Sequence, residues 1–202
     1  MFIQVMQGRA TDAAGVKKQW DRWDQEIKPG AKGYLGSTGG VSPDGEFIVL
    51  ARFESQEAAQ ANSDRPEQGA WFEEASQYLE DIKFHDCTGV DTSSKGGSDD
   101  AGFVQIIQGK VTDMAKAREL DARMEPEMSE RRPDVIGSVT AWNPDNGRFT
   151  NAIYFTSEAE ARTQEKKMET DPAFQEVMKE MMAISDGEPK FIDLPEPWLS
   201  SK

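Results

Sequence analysis

The sequence contains one cysteine and one histidine in 202 residues. Cys87 alone cannot form an internal disulfide or an all-cysteine zinc site. His85 alone excludes paired-histidine metal motifs such as H-E-x-x-H. Basic residues are also scarce, since 23 Lys and Arg face 37 Asp and Glu for a formal net charge of −14. A surface of that sign repels phosphate backbones and anionic lipid headgroups, which argues against nucleic-acid and membrane partners. No stretch approaches the roughly 18 consecutive apolar residues that a membrane helix needs. The opening segment, Met1-Phe-Ile-Gln-Val-Met-Gln-Gly8, lacks the charged start and long apolar core of a secretory signal. A cytoplasmic protein is expected. What is present, 37% hydrophobic and 9% aromatic residues, is enough for a folded chain.

The organising feature is a repeat. Phe2-Ile-Gln-Val-Met-Gln-Gly-Arg-Ala-Thr-Asp12 overlies Phe103-Val-Gln-Ile-Ile-Gln-Gly-Lys-Val-Thr-Asp113 with six of eleven positions identical. The match continues in order, Gly36-Ser37 on Gly137-Ser138 and Pro43-Asp44 on Pro144-Asp145. After one inserted residue, Gly45, Phe47, Phe53 and Ser55 meet Gly147, Phe149, Phe155 and Ser157. The chain is a tandem duplication: repeat 1 at 1–87, a Gly/Ser/Asp-rich linker at 88–102 with the composition of a flexible tether, repeat 2 at 103–194, and a tail at 195–202. The charge divides as −6, −2 and −6 among repeat 1, the linker and the remainder, so the acidity belongs to both copies.

Each copy has the same element order. An alternating strand ends at Thr-Asp, good N-cap chemistry for a helix. That helix carries a one-sided apolar stripe, Val16, Trp20, Trp23 and Ile27 in repeat 1 and Ala117, Leu120, Met124 and Met128 in repeat 2. A Pro-Asp hairpin with a closing Gly joins two further strands. A second helical region then leads to a closing strand. The Gly30–Gly40 stretch fits no phosphate-binding loop and predicts strand irregularity with β-bulges. The order β-α-β-β-α-β is the split βαβ, ferredoxin-like unit. The predicted class is therefore α+β, with two such units. A unit of roughly 90 residues with helices on one sheet face leaves the other face wanting cover. Packing sheet on sheet would make the chain an intrachain pseudo-dimer with a barrel-like centre.

These residues resemble the dimeric α/β-barrel superfamily and, within it, the antibiotic-biosynthesis-monooxygenase-like domains. The resemblance rests on the repeated strand ending in Gln-Gly, the Thr-Asp helix start, the Gly-Ser strand and the Pro-Asp hairpin. The Phe-x-Ser entries (Phe53-Glu-Ser55, Phe155-Thr-Ser157) and the aromatics near Trp71-Phe72 and Phe174 complete it. It implies a cavity between sheet and helices, and activities that include cofactor-independent oxygenation of aromatic molecules and haem degradation. The haem-degrading pattern is not met. Gln7 and Gln108 stand where it has Asn, Ala173 replaces Trp71 in repeat 2, and the single histidine falls in a strand.

Two function classes follow. The first is a cofactor-independent monooxygenase-like enzyme acting on a small apolar, aromatic molecule. The second is a non-catalytic ligand binder or scaffold. For the enzyme, the candidate residues in repeat 1 are His85 as base, Gln7 and Ser37 as polar positioners, and Trp23, Trp71 and Phe72 as walls. In repeat 2 they are Gln108, Ser138 and Tyr154. The preferred reading of His85 is a satisfied or solvated strand histidine, and that of the aromatics at helical spacing is core. Gln4 and Gln105, polar positions in apolar strands, could orient a ligand or bridge strands. No cofactor and no metal are expected. The expected partner is a small molecule, with further self-association left open.

Overall fold

The computed structural model describes residues 1–93 and 96–201, so Ser94 and Lys95 of the linker and Lys202 of the tail lie outside the described residues. The chain divides into two compact units, residues 1–90 with the segment from Glu196 onward, and residues 91–195.

In unit 1, β1 (Phe2–Ala10) leads to α1 (Ala13–Arg22), whose start is capped by Asp12 Oδ1 accepting from the Gly15 amide at 3.1 Å. One π turn (Trp23–Ile27) and one 3₁₀ turn carry the helix to Pro29-Gly30. Strands β2 (Tyr34–Val41) and β3 (Glu46–Phe53) form the hairpin, closed by the Gly45 amide on Ser42 O at 2.9 Å. The second helical region is two helices, α2 (Gln56–Ser63), capped by Ser55, and α3 (Pro66–Ser76), which starts on a proline. Strand β4 (Leu79–Cys87) returns beside β1.

Strand β5 (Gly89–Thr92) spans the division at residue 90 and joins the unit 2 sheet, and the scheme then repeats. Its elements are β6 (Phe103–Lys110), α4 (Met114–Arg131), β7 (Val135–Asn143), β8 (Arg148–Phe155), α5 (Glu158–Met168), α6 (Pro172–Ile184) and β9 (Lys190–Leu194). Asp113 and Ser157 cap α4 and α5 as Asp12 and Ser55 cap α1 and α2. The repeat seen in the sequence is thus a repeat of hydrogen-bonding chemistry. Both units are ferredoxin-like and the class is α+β.

The linker and tail do more than tether. Strand β10 (Trp198–Ser201) pairs antiparallel with β2, so the unit 1 sheet runs β10-β2-β3-β1-β4. Strand β5 adds to β7 in the same way, and the unit 2 sheet runs β5-β7-β8-β6-β9. The Ser93 amide reaches Ser138 O at 3.2 Å, and the Ser138 amide returns to Ser93 Oγ at 3.0 Å. Small polar composition marked the linker as a tether and the tail carried no strand assignment, yet open edges at β2 and β7 recruit both, because a strand edge is a row of unpaired amides and carbonyls. The predicted bulges occur where β2 and β7 shift register, at Tyr34/Gly36 and Val135/Gly137. Gly36 has a φ of +132°, and a Cβ there would collide with Ser200 O.

Register assigns the faces. Phe2, Gln4 and Met6 of β1 share a face with Phe47, Val49, Ala51 and Phe53 of β3 and with Phe84 and Asp86 of β4. That face meets the unit 1 helices in a core of Val16, Trp20, Trp23, Ile27, Trp71 and Trp198 with these strand residues. The opposite face carries Ile3, Val5, Ile48 and Leu50, all buried. Among the described residues no helix is long and apolar enough to cross a membrane.

Candidate functional site

Between the sheet and helices of unit 1 lies a cavity of about 220 Å³. Its walls are rings: Trp20 from α1, Trp23 from the π turn that follows it, Trp71 and Phe72 from α3, and Tyr34, Phe53 and Phe84 from the sheet. Trp20 and Trp23 stack at 5.8 Å, while Trp71 meets them edge-on at 6.0 and 6.3 Å. Trp198 from β10 stacks on Trp20 at 6.0 Å, so the tail braces this wall. Phe84 is 48% exposed and contacts Phe72 at 5.6 Å, which places an unburied ring in the lining.

A polar string fixes the rest. Arg65 donates from Nη1 to Ile27 O at 3.1 Å and to Asn62 Oδ1 at 3.0 Å. Asn62 Nδ2 donates to Gln68 Oε1 at 3.4 Å, and the same oxygen accepts from Trp23 Nε1 at 2.8 Å. Trp71 Nε1 donates to Gln19 O at 2.8 Å. On the strand side, Gln4 Nε2 donates to Asp86 Oδ1 at 3.1 Å. Tyr34 donates its hydroxyl to Ser37 Oγ at 2.7 Å. Burial pushes the Tyr34 phenol above its ordinary value, against the opposing pull of hydrogen bonds with Ser37 and Ser200. Tyr34 is the single titratable residue among the described lining residues, and it keeps its proton at neutral pH.

The expected residues divide. Trp23, Trp71 and Phe72 line the cavity as walls. Ser37 is on the helix-facing side but buried behind Tyr34, so it positions that hydroxyl and does not line the cavity. His85 is a correction. It pairs with Val5, is exposed, and lies on the sheet face opposite the cavity, so it cannot act there as a base. Gln7 pairs with Ile48 and Lys83 on that same opposite face. The lining amides missed as a site are Gln68 and Asn62, which no sequence period marks. Gln4 was visible as a polar strand residue, and it bridges strands while also lining the cavity.

Repeat 2 does not reproduce the site. Its depression, about 270 Å³, is lined by Arg123, Met124, Met128, Met168, Phe174 and Val177 among others. Ala173 stands where unit 1 has Trp71, and Met124 where it has Trp23. Gln108 donates from Nε2 to Thr150 Oγ1 at 3.1 Å. By register Gln108 and Tyr154 lie on the sheet face away from the helices, and Ser138 is tied to Ser93. The three residues are therefore not gathered into one pocket. Gln105 repeats the strand bridge, to Asp193 Oδ1 at 3.0 Å, but there Arg162 also binds Asp193 and lies over the Phe103 ring at 5.1 Å.

Solved structures show the same architecture over the whole chain. A chain from Fusobacterium nucleatum described as a "putative monooxygenase" superposes with a TM-score of 0.79 at 10% identity, covering 100% of this chain and 94% of that one. One of the same description from Lactobacillus acidophilus gives 0.71 at 13% identity, with 99% and 96% covered. A ferredoxin fold protein from Listeria monocytogenes, related to antibiotic biosynthesis monooxygenases, gives 0.51 at 10% identity, with 100% and 95% covered. The likeness is one of fold, with a ferredoxin-like unit present twice. No family model matches the sequence. No curated protein matches it either.

Cys87 shares the His85 face of β4 and is buried. Burial, helped by the Asp86 charge, pushes its thiol from 9.0 up to about 11. The folded chain holds this proton more tightly than the unfolded chain. The associated stability is complete below pH 9 and is lost as pH rises from 9 toward 11. At pH 8.5 iodoacetamide is expected to leave folded protein unlabelled and to label one thiol in denaturant, read by intact mass. Rapid labelling of folded protein would contradict this burial.

Proposed function

We propose that the protein is a cofactor-independent, monooxygenase-like protein whose unit 1 cavity takes a small planar aromatic molecule. The observation that supports this is the ring-walled cavity of about 220 Å³. An apolar cavity of roughly 150 Å³ holds benzene, so this one suits about two fused rings. The chemistry open to such a site is oxidation of an activated methylene by dioxygen, R₂CH₂ + O₂ → R₂C=O + H₂O. The bound substrate loses a proton to solvent, and its anion passes one electron to O₂. The radical pair then joins in a C–O bond, and the peroxide takes up a proton. Loss of the second C–H proton with cleavage of O–O releases water and leaves the ketone. The protein's part is to hold the ring flat and to fix its orientation.

A second reading, ligand binding without turnover, is favoured by the absence of a base among the described lining residues. One experiment separates the two. Calorimetric titration with 2-tetralone, whose C1 methylene lies between ring and carbonyl, is run beside an oxygen electrode. Saturable binding that Ala51→Leu abolishes by filling the cavity, together with oxygen uptake above the uncatalysed rate, supports the oxygenase. Binding without uptake supports the second reading. No binding, or binding that Ala51→Leu leaves intact, overturns both.

A further inference from the structure

The oxidation written above delivers one proton to a peroxide inside the unit 1 cavity, and most of the lining is a poor source of it. The indole N–H groups of Trp23 and Trp71 are bonded to Gln68 Oε1 and Gln19 O. The Ser63 hydroxyl donates to Ala59 O at 3.1 Å. The Tyr34 phenol is the most acidic O–H among the described lining residues. It is buried, and it joins the cavity to a second set of polar groups. Its hydroxyl donates to Ser37 Oγ at 2.7 Å and is also hydrogen-bonded with Ser200. Ser200 Oγ accepts from Lys28 Nζ at 2.7 Å and faces Asp24 Oδ1 at 3.2 Å. Lys28 Nζ in turn donates to Asp24 Oδ1 at 2.9 Å. The string runs outward to solvent. Tyr34, Ser37 and Ser200 are buried, whereas the Lys28 and Asp24 side chains are 27% and 47% exposed.

We infer that Tyr34 is the proton donor of this site, and that Lys28 recharges it from solvent through Ser200 of the tail strand. This rests on the oxygenase reading and adds the residues that move its proton. A phenol hydroxyl turns about its C–O bond, so the proton now on Ser37 can point to a ligand while Ser37 donates back. Tyr34 gives that proton to the bound peroxide anion, R₂CH–O–O⁻ + Tyr–OH → R₂CH–O–OH + Tyr–O⁻. The transfer runs downhill, because an alkyl peroxide anion is more basic than a phenolate. The phenolate takes the Ser200 hydroxyl proton, Ser200 takes one from the Lys28 ammonium, and Lys28 regains it from water. While ionised, the phenolate is faced by the charges of Arg52 and Lys28 and by the Ser37 and Ser200 hydroxyls. Arg52 is fixed there by bonds to Thr38 Oγ1 at 3.0 Å and Ser200 O at 3.3 Å. The second copy separates this role from plain strand pairing. Ser93 joins Ser138 as Ser200 joins Ser37, but Val135 stands where unit 1 has Tyr34. The serine pair thus belongs to strand addition in both units, and unit 1 alone adds the phenol.

The test is steady-state oxygen uptake with 2-tetralone, beside calorimetric binding of the same compound under argon. Wild type is compared with Tyr34→Phe, Ser200→Ala, Ser200→Thr and Lys28→Met. Tyr34→Phe is expected to lower kcat about a hundredfold and to leave the calorimetric Kd within about twofold, since a lost general acid costs turnover and spares the ring contacts. Ser200→Ala and Lys28→Met lower kcat about tenfold with Kd unchanged, and Ser200→Thr, which keeps the hydroxyl, restores it. Cooperative thermal melts show that each variant is folded. Wild-type kcat in Tyr34→Phe, or equal losses in Ser200→Ala and Ser200→Thr, overturns the relay and leaves the oxygenase reading standing. A Kd weakened as much as kcat falls in Tyr34→Phe also overturns it, because the phenol then only shapes the cavity. Binding without oxygen uptake by the wild type removes the oxygenase reading and the relay together.

Discussion

Trp71→Ala is expected to lower the unfolding free energy by about 3–5 kcal/mol, among the largest effects of any single truncation in unit 1. The side chain is buried, its ring touches Trp20, Trp23 and Phe72, and its indole nitrogen is bonded to Gln19 O. Truncation removes ring contacts on three sides and enlarges a cavity that already exists, so the neighbours have little to collapse onto. It also removes one of two donors to the Gln19 carbonyl, which keeps the Trp23 backbone N–H. Trp71→Phe keeps most of the ring and loses the hydrogen bond, and a cost of about 1–2 kcal/mol is expected. Urea unfolding followed by circular dichroism measures both. A loss below about 1 kcal/mol for Trp71→Ala would show that the aromatic wall is not cooperative with the fold.

A comparable loss is expected in unit 2 from Asp134→Ala. Arg132 Nε and Nη2 grip the Asp134 carboxylate at 2.9 and 2.8 Å, and the two side chains are only 6% and 2% exposed. The guanidinium also lies over the Phe155 ring at 5.5 Å. Removing the carboxylate leaves a buried, uncompensated charge, at a cost of about 3–5 kcal/mol. The double variant Arg132→Met with Asp134→Leu removes both desolvation costs together and is expected to lie closer to wild type than the single variant. A double-mutant cycle by urea unfolding checks the sign. A double variant less stable than Asp134→Ala would mean that the pair contributes more than its desolvation cost.

The fold was legible because each repeat states its boundaries in local chemistry. Thr-Asp at a helix start, Ser after Phe-x and Pro-Asp before a turn each satisfy backbone groups that would otherwise be orphaned. The site was half legible, and the reason is the sheet. Alternation correctly grouped His85 with Cys87 and Phe84 with Asp86, but it does not say which group faces the helices. In β1 both faces are apolar and largely buried, Phe2 and Met6 on one and Ile3 and Val5 on the other. The hydrophobic pattern that normally orients a strand is therefore silent. Trp23, Trp71 and Phe72 were found because large aromatics on helices have few places to go. Gln68 was not, because its significance lies in Trp23 and Asn62 taking up its oxygen, contacts 45 and 6 residues away. The linker and tail were misread for a similar reason, since strand recruitment depends on an edge formed elsewhere in the chain.

That recruitment has a consequence for biosynthesis. Unit 2 receives its outer strand β5 ahead of β7, so everything its sheet requires has left the ribosome once β9 has emerged. Unit 1 is different. Its hairpin strand β2 ends at Val41, but the strand that covers it begins at Trp198. At 5–20 residues per second the nascent chain carries an uncovered β2 edge, and an aromatic wall without its Trp198 brace, for roughly 8–30 s. The half of the molecule made first is therefore finished last, and the interval in which it is open to wrong partners is set by translation speed.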